Sequence, residues 1–380
     1  MSYLKAKKIV IIAGEESGDI HAAAFIKQLK ADNLDIEMSG IGGHHMQNAG
    51  VELISDLARY GVTGLTEVIR HARVIRKAFA LIKAHLIKTK PDLLILVDYP
   101  GFNLRLAKFA KSQGIRVLYY ISPQIWAWKA NRIHTIKATV DKMAVILPFE
   151  KTIYEKEQVP VAFVGHPLMQ KEKVLAQSSS LDLPENKRLV AFLPGSRVNE
   201  VERHMPVFIE TMKRLSEKDK HLHFIIPVAK SLNLSYIQDF FKTTNLPLSL
   251  IEGKATEVAA KADAIVVASG TASLECALLA KPMCIVYKAA WLSYAIAMKV
   301  IKVKYLGLSN LLQNAMVVPE LLQYDCNPDE LVKIVQQLLN DNDLKTKMTY
   351  RLADLASLLS DEKADCSMAE LIKQELTVIT

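Results

Sequence analysis

A chain of 380 residues, half of them apolar and 23% charged, is a folded protein of at least two domains, not a disordered or fibrous one. The +8 net charge is concentrated: residues 1–180 balance at +9 and residues 61–120 alone at +8, which fits either a polyanionic partner, nucleic acid or anionic lipid, or a solvated basic face. Four cysteines with no CxxC pair exclude a disulfide scaffold and a zinc site, no apolar run reaches the roughly 18 residues of a membrane span, and the basic start at Lys5–Lys8 leads into too short an apolar run for a signal peptide.

In chain order, Lys8–Ala13 reads as a strand that runs through Gly14–Asp19 into a helix ending near Lys30. Ile36–Ser39, Asp92–Val97, Arg116–Ile121, Lys142–Ile146 and Val161–Val164 read as further strands with helical patterns between them. A polar break at Gln177–Ser180 reads as a linker. The rhythm restarts with Leu189–Leu193, His223–Pro227, Leu248–Ile251, Ala264–Ala268 and Met283–Tyr287, and is helical from Asp329 onward. This alternation predicts an α/β protein of two facing, doubly wound Rossmann-like domains, 1–176 and 187–340. Helices at 341–380 are expected to pack back on the first domain. Ligands in such sheets sit at the carboxyl ends of the strands.

Five segments carry candidate chemistry. Ser269-Gly270-Thr271-Ala272-Ser273-Leu274-Glu275 takes a strand into a helix start, where backbone amides and hydroxyls can hold an anion and Glu275 can accept sugar hydroxyls. Pro194-Gly195-Ser196-Arg197 places an arginine where it can fork onto a diphosphate. Gly14–Asp19 is acidic and lacks GxGxxG, which argues against a dinucleotide. Asp98 ends a strand and is either a base or a helix cap. Trp126, Trp128, Lys129 and Arg132 either stack a sugar and hold a phosphate or, for the rings, fill core. The histidines show no HxxxH or HExxH, so no metal is expected. Finally, Leu65, Val68, Ala72, Ile75, Phe79, Ile82 and Leu86 form a helical stripe opposite Arg70, Arg73, Lys77 and Lys88. That stripe is either core or an interfacial helix in anionic headgroups, and Trp291–Met298 is a second candidate of that kind.

Together these segments resemble the lipid-A-disaccharide synthase family. The resemblance rests on AGEESGD (Ala13–Asp19), GIGGHHMQNAG (Gly40–Gly50), VDYPGFN (Val97–Asn103), SPQIWAWK (Ser122–Lys129), LPFEK (Leu147–Lys151), GHP (Gly165–Pro167), LPGSR (Leu193–Arg197), SGTASLE (Ser269–Glu275) and LSNLL (Leu308–Leu312). It implies an inverting, metal-independent glycosyltransferase of GT-B type that needs no cofactor. The substrates would be a UDP-linked 2,3-diacylglucosamine and a 2,3-diacylglucosamine 1-phosphate, the products a β-1,6 disaccharide and UDP. The resemblance puts the donor on Arg197, Ser269, Gly270, Thr271, Glu275 and Asn310, and an essential carboxylate at Asp98. Acceptor or sugar contacts are expected from Ser17, Asn103, Trp126, Lys129 and Arg132, and a membrane interface at Leu65, Val68, Arg70, Arg73, Ile75 and Lys77. It further implies a cytoplasmic protein, peripheral on the inner face of the inner membrane, with an anionic membrane surface as partner, no nucleic acid, and a homodimer with exchanged C-terminal elements. The rival readings are a UDP-N-acetylglucosamine 2-epimerase and a non-catalytic nucleotide-sugar sensor.

Overall fold

A computed structural model describes residues 6–32, 35–57, 72–127, 130–169, 181–290, 294, 303–359 and 363–378. Strand β1 (Lys7–Ala13) buries Ile9, Val10, Ile11, Ile12 and Ala13 completely, so both of its faces are covered. That is the burial a parallel sheet flanked by helices imposes. The chain then alternates through α1 (Glu16–Ala31), β2 (Ile36–Gly42), α2 (His44–Asn48), β3 (Glu52–Asp56), α3 (Ala72–Thr89), β4 (Leu93–Val97) and α4 (Pro100–Ser112). It continues with β5 (Arg116–Tyr120), α5 (Arg132–Thr139), β6 (Lys142–Val145), α6 (Pro148–Lys156) and β7 (Val161–Phe163). The strands pair in parallel in the order β3-β2-β1-β4-β5-β6-β7. Alternate side chains sort to two cores: Val10, Ile12, Leu94 and Leu96 pack with α3 and α4, while Ile9, Ile11, Leu93 and Ile95 pack with α1.

The second sheet is built from β8 (Arg188–Leu193), β9 (Leu222–Val228), β10 (Leu248–Glu252), β11 (Ala264–Ala268), β12 (Met283–Tyr287) and β13 (Glu320–Leu322), in the parallel order β10-β9-β8-β11-β12-β13. Its helices include α7 (Val198–Lys218), α8 (Leu234–Asp239), α9 (Ala255–Lys261), α10 (Thr271–Leu278), α11 (Leu308–Gln313), α12 (Pro328–Asn340) and α13 (Asn342–Leu359). Both sheets reverse strand order at one place, β1/β4 in the first and β8/β11 in the second. Such switch points open a crevice at the carboxyl ends of the strands, where ligands bind.

Two strands escape the sequence reading. β3 is a half-buried edge strand with an acidic residue at each end, and β13 is three residues long, so neither shows an enclosed apolar run.

The C-terminal region also differs from expectation. The chain divides into Met1–Met169 with Leu359–Thr380, and Gln170–Leu358. Helix α13 stays with the second unit: the Met283 amide donates to Met348 Sδ and Gln313 Nε2 donates to the Arg351 carbonyl. The return begins at Leu359, not at 341, and ends in α14 (Met368–Thr377), which buries Leu371, Ile372 and Leu376 in the first unit. An ion pair between Arg116 Nε and Glu375 Oε2 at 2.7 Å ties α14 to β5.

The proposed interfacial stripe needs correction. Leu65, Val68 and Arg70 lie outside the described residues. Within α3, Ala78, Ile82 and Leu86 are buried and the partly buried Ile75 and Phe79 pack against the same core, so this part of the stripe, Ile75 included, contributes to the interior. Arg73 and Lys77 are exposed, as are Leu81 and Ile87. One face of the helix therefore closes the core while the other is exposed. Ile82→Ala should destabilise the first unit by about 2–5 kcal/mol, the cost of a buried cavity. Denaturant unfolding checks this, and an unchanged midpoint would return the stripe to the interface.

Candidate active site

At the first switch point, β4 runs into Asp98 and Tyr99, which both take left-handed backbone angles (φ 46° and 45°). That conformation is strained for residues with a side chain and persists only where the surroundings enforce it. Three contacts do so here. The Asp98 amide donates to the Tyr120 carbonyl at 2.9 Å. The Asp98 carbonyl accepts from Tyr119 Oη at 2.6 Å and from Asn103 Nδ2 at 2.8 Å. Pro100 then opens α4, matching the fixed φ that a first helical turn needs. Tyr99 stacks on Phe102 and covers Gly14, where any Cβ would come within 2.3 Å of the Tyr99 ring. A glycine is thus required to bring the β1 loop alongside Asp98.

Burial pushes the Asp98 carboxyl up to about 6, against the pull of the Tyr99 amide. It is therefore ionised at neutral pH and basic enough to take a hydroxyl proton. Tyr119, enclosed beneath it, has its phenol held far above the ordinary range by burial and by the Asp98 charge.

Asn103 takes a role other than the expected one. Its side chain is wholly buried and its Nδ2 bridges the Val97 and Asp98 carbonyls, so it positions Asp98 and does not reach a sugar. Ser17 is exposed in the first turn of α1. Trp126 is half-buried, edge-on to Phe149, and donates its indole N–H to Glu150 Oε1 at 3.0 Å. Arg132 opens α5 and its charge acts on Tyr119. Lys129 lies outside the described residues.

Two buried acids were missed from sequence. Asp19 accepts from the Gly43, His45 and Met46 amides at 2.8–3.0 Å, capping α2 and tying the first loop to the second. Asp19, His44 and His45 also bring one ligand atom each within 4.8 Å of one another, a set able to hold a cation that the sequence pattern did not reveal. Because the Asp19 oxygens already face three amides, we read the group as a helix cap. Glu150, fully enclosed at the start of α6, looks in the sequence like an ordinary acidic first-turn residue.

At the second switch point, a cavity of about 440 Å³ is lined by Gly195, Ser196 and Arg197 from the β8 loop and Ser269, Gly270 and Thr271 from the β11 loop. Gly270 (φ 150°, ψ −165°) has a backbone that only glycine adopts readily, and the Ser273 hydroxyl donates to its carbonyl at 2.7 Å. The first amides of α10 have no partner within the helix and suit an anion. The Glu200 carboxylate draws the Ser196 and Arg197 amides together and accepts from Arg197 Nη1 at 3.2 Å. Beneath the turn lies buried His204, with Nδ1 at 2.8 Å from the Pro194 carbonyl and Nε2 accepting from the Lys288 amide at 3.1 Å. These partners require the neutral ring with its proton on Nδ1, and burial depresses the imidazole pKa accordingly.

Glu275 stands one turn into α10, half-buried, accepting from Thr256 Oγ1 at 3.1 Å, and is not among the residues lining the cavity. Asn310 is not there either, and its expected donor contact needs correction. Its Nδ2 donates to the Val318 carbonyl and Glu320 Oε1, and its Oδ1 accepts from the Val317 and Val318 amides, so all of it fastens the segment after α11. A larger hollow of about 800 Å³ beside α7 and α12 is away from the second switch point and is lined by surface charges such as the Arg214–Asp329 pair.

The comparisons with known proteins agree with this geometry. A model of the lipid-A-disaccharide synthetase family matches residues 9–376. Lipid-A-disaccharide synthase 1 of Legionella pneumophila (strain Philadelphia 1) is 55% identical over 376 residues, 98% of each chain. The lipid-A-disaccharide synthase of Coxiella burnetii (strain CbuG_Q212) is 39% identical over 373 residues, 96% of this chain and 98% of that one. Among solved structures, UDP-GlcNAc 2-epimerase from Neisseria meningitidis bound to UDP-GlcNAc aligns with a TM-score of 0.64 at 16% identity, covering 98% of this chain and 100% of that one. CalG4, the calicheamicin glycosyltransferase, aligns with a TM-score of 0.63 at 14% identity, covering 98% and 99%.

Two parallel α/β sheets with loops gathered at each switch point, and these structural neighbours, define a glycosyltransferase of the GT-B fold. The chain belongs to the lipid-A-disaccharide synthase family, whose members act in lipid A biosynthesis. The epimerase reading is set aside, because the likeness to that enzyme is one of fold alone.

The raised Asp98 carboxyl has a consequence for stability. Its ionised form burdens the fold fully above about pH 6, progressively less down to the ordinary 3.8, and not at all below. Asp98→Asn should therefore gain about 3 kcal/mol at pH 8 and only about 0.5 kcal/mol at pH 4. Chemical denaturation at the two pH values measures the difference, and an equal effect at both would contradict the assignment.

Proposed function

We propose that this protein joins a UDP-linked 2,3-diacylglucosamine to a 2,3-diacylglucosamine 1-phosphate by a single inverting displacement that forms the β-1,6 bond. The observation that carries this reading is Asp98, a carboxylate locked at a switch point with its proton affinity raised. The first unit holds the acceptor through Trp126, Arg132 and Ser17. Asp98 takes the proton of the acceptor 6-hydroxyl as its oxygen attacks the anomeric carbon. The second unit holds the donor: Glu275 accepts the ribose hydroxyls, and Ser269, Gly270, Thr271 and Arg197 meet the diphosphate. Charge on the departing UDP grows during transfer, so donors aimed at it accelerate the step without a metal ion.

UDP should be released only when both acylated sugars are supplied. Asp98→Asn should lower turnover by about 10²–10⁴, the usual effect of losing a general base, while UDP affinity stays within a few-fold. Near-normal turnover in that variant would reduce Asp98 to a structural turn. A protein that binds UDP yet releases none with both lipids present would be a sensor.

Because the substrates carry acyl chains, the enzyme works at the cytoplasmic face of the inner membrane. The outer face of α3 supports this: Arg73 and Lys77 are exposed together with Leu81, 42% exposed, and Ile87, 53% exposed. Among the described residues no helix is long and apolar enough to cross a bilayer. Basic attraction and apolar insertion act together at such a face. Replacing Arg73, Lys77, Leu81 and Ile87 by polar neutral residues should leave the thermal transition intact and weaken sedimentation with anionic vesicles by tenfold or more, at about 1 kcal/mol for each lost cation. Unchanged vesicle binding would place the interface elsewhere. The homodimer implied by the family resemblance is read in the same experiment from the sedimentation of the lipid-free protein.

A further inference from the structure

Glu150 is a carboxyl group with no ordinary reason to be where it is. It is 2% exposed, its Oε1 accepts from the Trp126 indole at 3.0 Å, its Oε2 is buried with no partner in good hydrogen-bond geometry, and the Leu147 amide and Ser122 hydroxyl beside it offer only partial compensation. A buried carboxyl in that state costs stability, and an apolar residue of the same shape would not. The strand order supplies a reason. Asp98 follows β4, Ser122 and Trp126 follow β5, and Glu150 follows β6, so the carboxyl ends of three adjacent strands gather these groups on one side of the sheet.

We propose that Glu150 is a positioning residue for Asp98: it pins the Trp126 indole by its ring N–H and, through its own charge, sets how strong a base Asp98 is. The proposal rests on the reading of Asp98 as the proton acceptor. Glu150 faces a defined set of groups. Burial pushes its carboxyl up to about 7, against the Trp126 indole, the Leu147 amide and the Ser122 hydroxyl, and the Asp98 charge adds to the rise. Tyr154, bonded to Ser122 at 2.8 Å, feels the Glu150 charge, and Tyr119 feels Asp98, Tyr154 and Arg132. The phenols stay protonated throughout the neutral range, so Asp98 and Glu150 are the members of the cluster that titrate there.

Two coupled carboxyls of this kind release their protons in two steps that belong to the pair. The negative charge of ionised Glu150 raises the proton affinity of Asp98, which makes Asp98 a stronger base toward the acceptor hydroxyl. The same charge strengthens the bond that orients Trp126. Glutamine at 150 keeps an oxygen for the indole and copies the protonated acid permanently.

The test compares turnover of the parent and Glu150→Gln from pH 6 to 9 with both acylated sugars saturating. The parent should rise in two steps and the variant in one. The ratio of the two rates should grow from near one at pH 6 to about three- to tenfold at pH 8.5, the order expected when a like charge shifts a base by about one pH unit. A ratio that is constant across this range would make Glu150 an ordinary structural residue and overturn the proposal. A second readout does not use activity. In fluorotryptophan-labelled protein, the Trp126 resonance, assigned from Trp126→Phe, should titrate near pH 7 in the parent, lose that titration in Glu150→Gln, and move to lower pH in Asp98→Asn. Absence of the titration in the parent, or no movement in Asp98→Asn, would overturn the coupling even if Glu150→Gln failed to fold. Full turnover in Asp98→Asn would instead sink the reading of Asp98 and leave the Trp126–Glu150 titration standing.

Discussion

The carbonyl of Asp98 is the point on which the first unit's chemistry depends. It sits at the end of a central strand, turned by a left-handed pair of residues, and is held by Tyr119 from below and Asn103 from the following helix. Releasing it would let Asp98 and Tyr99 relax to ordinary backbone angles and swing the carboxylate away from the switch point. Tyr99 would then leave Gly14, and the β1 loop would lose the surface against which it packs. One backbone constraint thus sets the direction of the Asp98 carboxylate, the stacking of Tyr99 on Phe102 and the approach of the neighbouring loop.

The second unit solves a different problem with similar means. An anion site needs backbone amides that converge with nothing bulky between them. Glu200 gathers two amides of the β8 loop, and His204 joins that loop to the end of β12 by using both ring nitrogens. Both side chains thereby fix the shape of the loop that lines the cavity. The strand order then brings the β11 loop, with Gly270 in its glycine-only conformation, to the other side of the same cavity.

Helix α3 shows how one amphipathic pattern serves two purposes. Its inner residues Ala78, Ile82 and Leu86 close the core over the sheet, while Arg73, Lys77, Leu81 and Ile87 remain outside. The apolar stripe is wider than the helix's core contact, which leaves an apolar, basic outer face of the kind the proposed membrane interface would use.

Much of this was legible in the residues alone because it is local. A buried strand, a glycine turn and a helix start are contiguous, so the two doubly wound sheets, the strand-end position of Asp98, and the loops of Arg197 and Ser269–Thr271 follow from short segments and their spacing. The edge strands β3 and β13 did not, since partial burial leaves no apolar run. The roles of Asn103, Asn310, Glu150 and His204 were beyond sequence reasoning for a related cause. Asn103 and Asn310 look like polar site residues, yet the Nδ2 of Asn103 is consumed by two backbone carbonyls and both ends of the Asn310 amide by partners that only folding brings near. Glu150 looks like a helix-start acid, yet β6 places it under Trp126, 24 residues away in the chain. His204 carries no motif that marks it, yet it meets the Lys288 amide across 84 residues. Local sequence determined which segments become strands, turns and helix starts, because backbone preference and periodicity act over a few residues. Which polar side chain is left to act on a substrate, and which is used up holding another in place, was decided by strand order, because hydrogen bonds and burial are satisfied between partners that are distant in the chain.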